Sequence, residues 1–102
     1  MQNYTYVAST QDLPPGTMQF VRVPGQSILL INVEGAIHAT SNFCTHRRCY
    51  LHKGKLEGKV VTCPCHFSQF DVTTGAVLAG GAKEPLPTFP VRIEGNSILI
   101  AL

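Results

Sequence analysis

No stretch of this 102-residue chain is long and apolar enough to span a bilayer; its most hydrophobic run, SILLINV at residues 27–33, is strand-sized. The N-terminus has no basic region followed by an apolar core, so no signal peptide is legible. No run of Lys and Arg interleaves with aromatics, and a formal charge of +2 is too small to hold a polyanion, which argues against nucleic acid. Helical periodicity is missing, and so are internal repeats and low-complexity tracts. No general base, activated nucleophile or substrate pocket is legible either, so the chain is not expected to be an enzyme by itself. These absences leave a small single-domain protein, expected to be soluble, monomeric and cytoplasmic. An extracytoplasmic site is the alternative if the chain is a piece of a membrane-anchored protein.

What is present is the punctuation of an all-β protein. The breaker Asp12-Leu13-Pro14-Pro15-Gly16 follows a strand expected at Tyr4–Ser9, and Pro24-Gly25 follows another at Met18–Val23. Residues 27–33 are apolar nearly throughout, which predicts a central strand buried on both faces. Glu34-Gly35 offers a hairpin turn into Ala36–Ser41. Near the C-terminus Val91–Glu94 alternates, Gly95-Asn96 turns the chain, and residues 97–102 close as a last strand. The character changes between residues 42 and 87, which hold all four cysteines and Gly54, Gly58, Gly75, Gly80 and Gly81. Short β segments are expected at Val60–Thr62 and residues 70–72, with residues 71–75 turning a small hairpin. The expected organisation is one domain over 1–102. Its base sandwich comes from about 1–41 and 88–102, and a subdomain of about 42–87 is inserted into it. Loops on a rigid sheet are where ligands are usually presented. A core of this size is modest, so a metal centre or cross-link would support it.

The chemistry is concentrated in Cys44-Thr45-His46 and Cys63-Pro64-Cys65-His66, the pattern C-x-H-x16-C-x-x-H, with Cys49 and Cys65 as additional cysteines. In C-x-H the two side chains are close enough to serve adjacent metals. In C-x-x-H the chain has room to turn, and Pro64 stiffens that turn by fixing φ. By spacing alone two readings stand. One is a structural zinc site, which commonly uses two cysteines and two histidines. The other is a [2Fe–2S] centre in which histidines replace cysteines on one iron.

The strings CTHRRC and CPCHFSQFD, the downstream GGAKEPLPTFPV, and the stretches DLPPG and NVEGAIHATSNFC together resemble the Rieske family. The likeness is to small Rieske ferredoxins and the ferredoxin components of ring-hydroxylating oxygenases, and it spans nearly the whole chain. It implies a Rieske-type three-layer antiparallel β-sandwich with an inserted cluster-binding subdomain at one tip. It also implies one [2Fe–2S] cluster per chain, with Cys44 and Cys63 on one iron and His46 and His66 on the other. Neutral imidazole donates less negative charge than thiolate, so such a cluster accepts an electron more readily.

The pair Cys49 and Cys65 departs from a plain ferredoxin pattern. It resembles the Rieske proteins of quinol-oxidising complexes, in which the corresponding cysteines form a disulfide. The alternative is two buried thiols, which a reducing cytosol favours. The resemblance implies that Ser68 donates a hydrogen bond to a bridging sulfide. It places Phe70 where the family has a tyrosine, and Phe67 where it usually has glycine. Phe67 is therefore either exposed at the docking tip or packed. Arg47 and Arg48 follow a ligand histidine and are expected either to steer an acidic partner or to be solvated surface. His52 is expected on a surface loop, and His38 on a strand, packed or facing solvent.

The expected function is one-electron transfer from a reductase to an acceptor such as an oxygenase or a cytochrome, through histidines at the exposed tip. Two alternatives remain at this stage: the soluble domain of a quinol-oxidising complex, and a zinc-stabilised binding module without redox activity.

Overall fold

The computed structural model describes residues 3–45, 49–65 and 67–101. In chain order its strands are β1 (Tyr4–Ser9), β2 (Met18–Val23), β3 (Gln26–Val33), β4 (Ala36–Ser41), β5 (Lys55–Glu57), β6 (Val60–Thr62), β7 (Gln69–Asp71), β8 (Val77–Ala79), β9 (Thr88–Phe89), β10 (Val91–Glu94) and β11 (Ser97–Ala101). Single 3-10 turns occupy Thr10–Asp12 and Leu51–Lys53.

Strand β3 decides the layering. Successive side chains of a strand point to opposite faces. Leu29 and Ile31 enter one core with Leu51, Val61, Phe70 and Val72. Ile28 and Leu30 enter a second core with Leu13, Ile98 and Ile100. All four β3 residues are fully buried. Covering each such side chain is worth about 1.5–3 kcal/mol, so a sheet on each side is the stable solution. The middle sheet has the order β2-β3-β4-β9, the outer sheet on the Ile28 side β1-β11-β10, and the third sheet β5-β6-β7-β8. Every strand pairing is antiparallel. The chain is all-β, as the turn signals predict.

Several boundaries differ from the sequence expectation. β7 lies one residue earlier than 70–72, because the Asp71 carbonyl accepts from the Thr74 and Gly75 N–H groups and draws Val72 into the turn. β5, β8 and β9 are two or three residues long, too short to show alternation, and none is legible in the sequence. β3 begins at Gln26 rather than residue 27, and the last position expected in β11, Leu102, is outside the described residues.

Asp71 closes the hairpin that carries β7 into β8. Its buried carboxylate accepts from the Thr73 N–H at 2.8 Å and from the Thr73 hydroxyl, and faces the Lys59 ammonium at 3.3 Å. Burial pushes this carboxyl up, but the two Thr73 bonds and Lys59 together outweigh it and hold it below the ordinary range. A carboxyl lowered on folding stabilises above its unfolded pKa of about 3.9, and that contribution is lost as pH falls through the lower folded value. Asp71→Asn is therefore expected to cost about 1–2 kcal/mol at neutral pH and to flatten the acid limb of stability. Urea denaturation from pH 7 to pH 3 checks both; an unchanged acid limb in the variant would remove this role.

Candidate metal centre

Residues 42–52 form the first cysteine loop, which leaves the end of β4. The Asn42 N–H donates to the Ser27 carbonyl, and the Asn42 carbonyl accepts from the Leu51 N–H at 2.7 Å. Inside that closure Phe43 and Tyr50 make an antiparallel bridge, and the Cys44 N–H donates to the Cys49 carbonyl at 2.9 Å. Cys44 is thereby held opposite Cys49, with its side chain buried. The second loop joins β6 to β7. The Cys63 N–H donates to the Ser68 carbonyl at 2.8 Å, and the Phe67 N–H donates to the Cys63 carbonyl at 3.1 Å. Cys63 is buried, whereas Pro64 and Cys65 are exposed.

A disulfide between Cys49 and Cys65, with Cα atoms 6.4 Å apart, ties the two loops together. The Cys63 sulfur lies within 4.8 Å of both bridge sulfurs. Proximity alone would make those three a metal site. Two of them are bonded to each other and have no thiolate to offer, so the thiols left to ligate are Cys44 and Cys63. His46, His66, Arg47 and Arg48 lie outside the described residues.

A third segment, residues 80–87, packs over the second loop. The Ser68 hydroxyl oxygen accepts from the Ala82 N–H at 3.2 Å, and the Thr45 hydroxyl donates to the Glu84 carbonyl at 2.7 Å. Gly80 has φ +90°, and a Cβ there would sit 2.5 Å from the Ser68 Cα, so only glycine lets this segment lie so close. Ser68 is completely buried. Because its oxygen accepts from Ala82, its own proton is left to donate to a further acceptor. Two buried thiols and a buried hydroxyl donor are a set that fits an iron–sulfur cluster.

Two aromatics take contrasting positions. Phe70 is fully buried in the core shared with Cys44 and Cys63. Phe67 is 71% exposed and has φ +62°. A left-handed conformation at a bulky residue is a genuine outlier. Glycine adopts this conformation without that strain.

His52, expected on a surface loop, lines a surface groove. It sits half-buried in the Leu51–Lys53 turn, with its ring stacked on Phe20 at 4.1 Å. Burial, and then the neighbouring Lys53, hold its imidazole below the usual value. Nothing local in the sequence signals this, because the partner ring comes from β2. His38 is half-buried on β4.

Residues 3–90 match the model of the Rieske [2Fe-2S] domain. The chain is 39% identical over 101 residues to the ferredoxin component of the naphthalene 1,2-dioxygenase/salicylate 5-hydroxylase systems of Ralstonia sp., covering 99% of this chain and 97% of that protein. Among solved structures it is similar to the Sphingomonas yanoikuyae B1 ferredoxin, with a TM-score of 0.93, 30% identity, and coverage of 98% of this chain and 99% of that one. It is also similar to a chain in a complex of reduced oxygenase and oxidized ferredoxin in carbazole 1,9a-dioxygenase. There the TM-score is 0.92 and the identity 31%, with 99% of this chain and 94% of that chain covered.

The bridge closes a segment of sequence separation 16. Replacing both cysteines (Cys49→Ala with Cys65→Ala) is expected to cost about 3 kcal/mol in the chain-entropy model, read by denaturant unfolding. A loss below about 0.5 kcal/mol would show that the loops are held without it.

Proposed function

Because this chain belongs to the Rieske [2Fe-2S] family, we propose that Cys44 and Cys63 hold one iron of a single cluster and His46 and His66 the other, and that the protein carries electrons from a reductase to a terminal oxygenase. It is an electron-transfer protein rather than an enzyme. The observation that supports this ligand set most directly is the pair of buried thiols on two loops cross-linked by Cys49–Cys65. When bound, the cluster supplies one-electron redox chemistry between ferric and ferrous iron. The chain's own residues do the rest. Cys44 and Cys63 supply thiolates from a water-poor site, where charge interactions are strong. Ser68 directs its proton inward, where it stabilises added negative charge. The apolar wall that includes Leu51, Phe70 and Leu86 excludes solvent.

The zinc alternative fits less well. A zinc site offers no bridging sulfide to the Ser68 proton, only the ligand sulfurs themselves. The alternative of a quinol-oxidising-complex domain draws on the cysteine pair, but the relatives matched over nearly their whole length are ferredoxin components of dioxygenase systems. We further infer a division into a base sandwich, about 1–41 and 88–102, and a cluster-binding subdomain, about 42–87. The third sheet lies wholly within the latter, and β9 at residues 88–89 joins the former. No helix among the described residues is long and apolar enough to cross a membrane. The working location we propose is the cytoplasm, with the protein monomeric and its docking tip formed by Phe67, Arg47 and Arg48.

The ligand assignment predicts that His46→Ala or His66→Ala abolishes the Rieske electron-paramagnetic-resonance signal, and that Ser68→Ala keeps the signal but lowers the reduction potential in film voltammetry. A normal signal from either histidine variant would sink the assignment.

The docking tip predicts a separable effect at Phe67. The left-handed backbone there costs about 1–2 kcal/mol, while glycine loses about 0.5–1 kcal/mol more in chain entropy. Phe67→Gly should therefore keep or raise the melting temperature while increasing the KM for the protein acceptor severalfold. Destabilisation with an unchanged KM would mean that the ring serves folding rather than docking.

A further inference from the structure

We propose that the Asn42 carboxamide and the His52 imidazole form a latch that positions the first cysteine loop, and that it closes only on the neutral ring. The inference rests on the reading of that loop as a ligand loop, but its geometry is independent of any metal. Asn42 is completely buried. Its Oδ1 accepts from the His52 N–H at 2.9 Å. A backbone N–H can only donate, so this bond fixes which end of the amide is oxygen. The opposite end is therefore the NH2 group, which donates to the Ser27 hydroxyl oxygen at 3.1 Å and to His52 Nδ1 at 2.8 Å. Nδ1 must carry its lone pair, which puts the ring proton on Nε2. Together with the Leu51 N–H to Asn42 carbonyl bond, these contacts clasp both ends of the segment that bears Cys44, His46 and Cys49.

Two partly exposed aromatic rings flank the imidazole. Phe20 of β2 stacks on it, and Tyr50 lies against it with centroids 5.5 Å apart. The groove at this face is lined by the cations Arg22 of β2 and Lys53 of the 3-10 turn, by the phenol of Tyr50, and by the neutral Gln26 and Ser27 of β3. No carboxylate is among these described residues to welcome an imidazolium. Protonating Nδ1 would set a ring N–H against the Asn42 NH2 group and add a third cation beside Arg22 and Lys53. Burial and Lys53 already favour the neutral ring. A histidine lowered on folding contributes fully above its unfolded pKa of about 6.5, and that contribution is lost as pH falls through the lower folded value. Asn42 and His52 are thus positioning residues that act through the loop backbone.

Hydrogen–deuterium exchange of the cluster-loaded protein from pH 5 to pH 8, corrected for intrinsic rates and followed by mass spectrometry on residues 49–53, tests this. Visible absorbance reports that the cluster is retained. Protection in the wild type should fall about five- to tenfold as His52 takes up its proton, the scale of one lost hydrogen bond. Asn42→Asp places a carboxylate against Nδ1 and should reverse the trend, with greater protection on the acid side. His52→Phe keeps the stack on Phe20 but has no acceptor, so its protection should be low and flat with pH. Flat protection in the wild type, or a loss on acidification in Asn42→Asp as large as in the wild type, would overturn the latch. The readout involves no electron transfer, so its failure is distinct from failure of the ligand assignment.

Discussion

Ile28, Leu29, Leu30 and Ile31 carry no polar side-chain atom and alternate across β3, so both faces of that strand must be taken out of water. One sheet can cover only one face. The outer sheet β1-β11-β10, drawn from the two ends of the described chain, covers the Ile28 side. The Leu29 side has to be covered by what lies between, and that is the segment carrying the cysteines. The cysteine-bearing region is therefore part of the hydrophobic solution and not an appendage to it. Leu51, Val61, Phe70 and Leu86 pack beside Cys44 and Cys63 in a single core. Disturbing the packing under β3 would reach the sulfur positions without touching either cysteine.

Apolar packing places the loops, but it does not fix atoms to the tolerance that a metal centre needs. Three polar devices supply that precision. The Asn42 side chain and carbonyl clasp the first loop, the Cys49–Cys65 bridge ties the first loop to the second, and Ser68 with Gly80 seats the third segment on the second. Each helps offset the roughly 1–2 kcal/mol per residue that ordering the loop backbone costs. Asn42 and Ser68 are also among the few fully buried polar residues described. Their burial is tolerable because their polar atoms have partners.

How much of this was legible in the sequence follows from the range of the interactions. The apolar run at 27–33 and the Pro/Gly breakers act locally, and they located β1 to β4, β10 and β11. The two C-x-H and C-x-x-H half-motifs are also local, and they pointed to Cys44 and Cys63 as the thiols to place in the site. β6 was legible and β7 lay one residue off, but β5, β8 and β9, of two or three residues, are strands only through their neighbours. The His52–Phe20 stack was missed for a related reason. His52 lies in a segment with no apolar pattern, and its burial is created by a ring thirty-two positions away. The Asn42 clasp could have been suspected from an Asn at the end of a strand, a residue type that bonds nearby backbone. Its reach of ten residues could not.

Phe67 shows where the molecule departs from local consistency. Sequences tend to agree with their fold at every level except at sites that do something else. A bulky aromatic in left-handed backbone, more than two-thirds exposed, gains little from burial and loses conformational energy. The surroundings can hold it there because its own N–H bonds the Cys63 carbonyl and its neighbour Ser68 is locked under the third segment. The strain is thus borne where backbone hydrogen bonds hold the chain on both sides of it, and the ring is a large exposed apolar surface beside the proposed ligand loop. Exposed aromatic anchors of this kind are what protein interfaces use for their central contacts. Backbone already tied by these hydrogen bonds has less loop freedom to lose if a partner docks at the ring, as proposed.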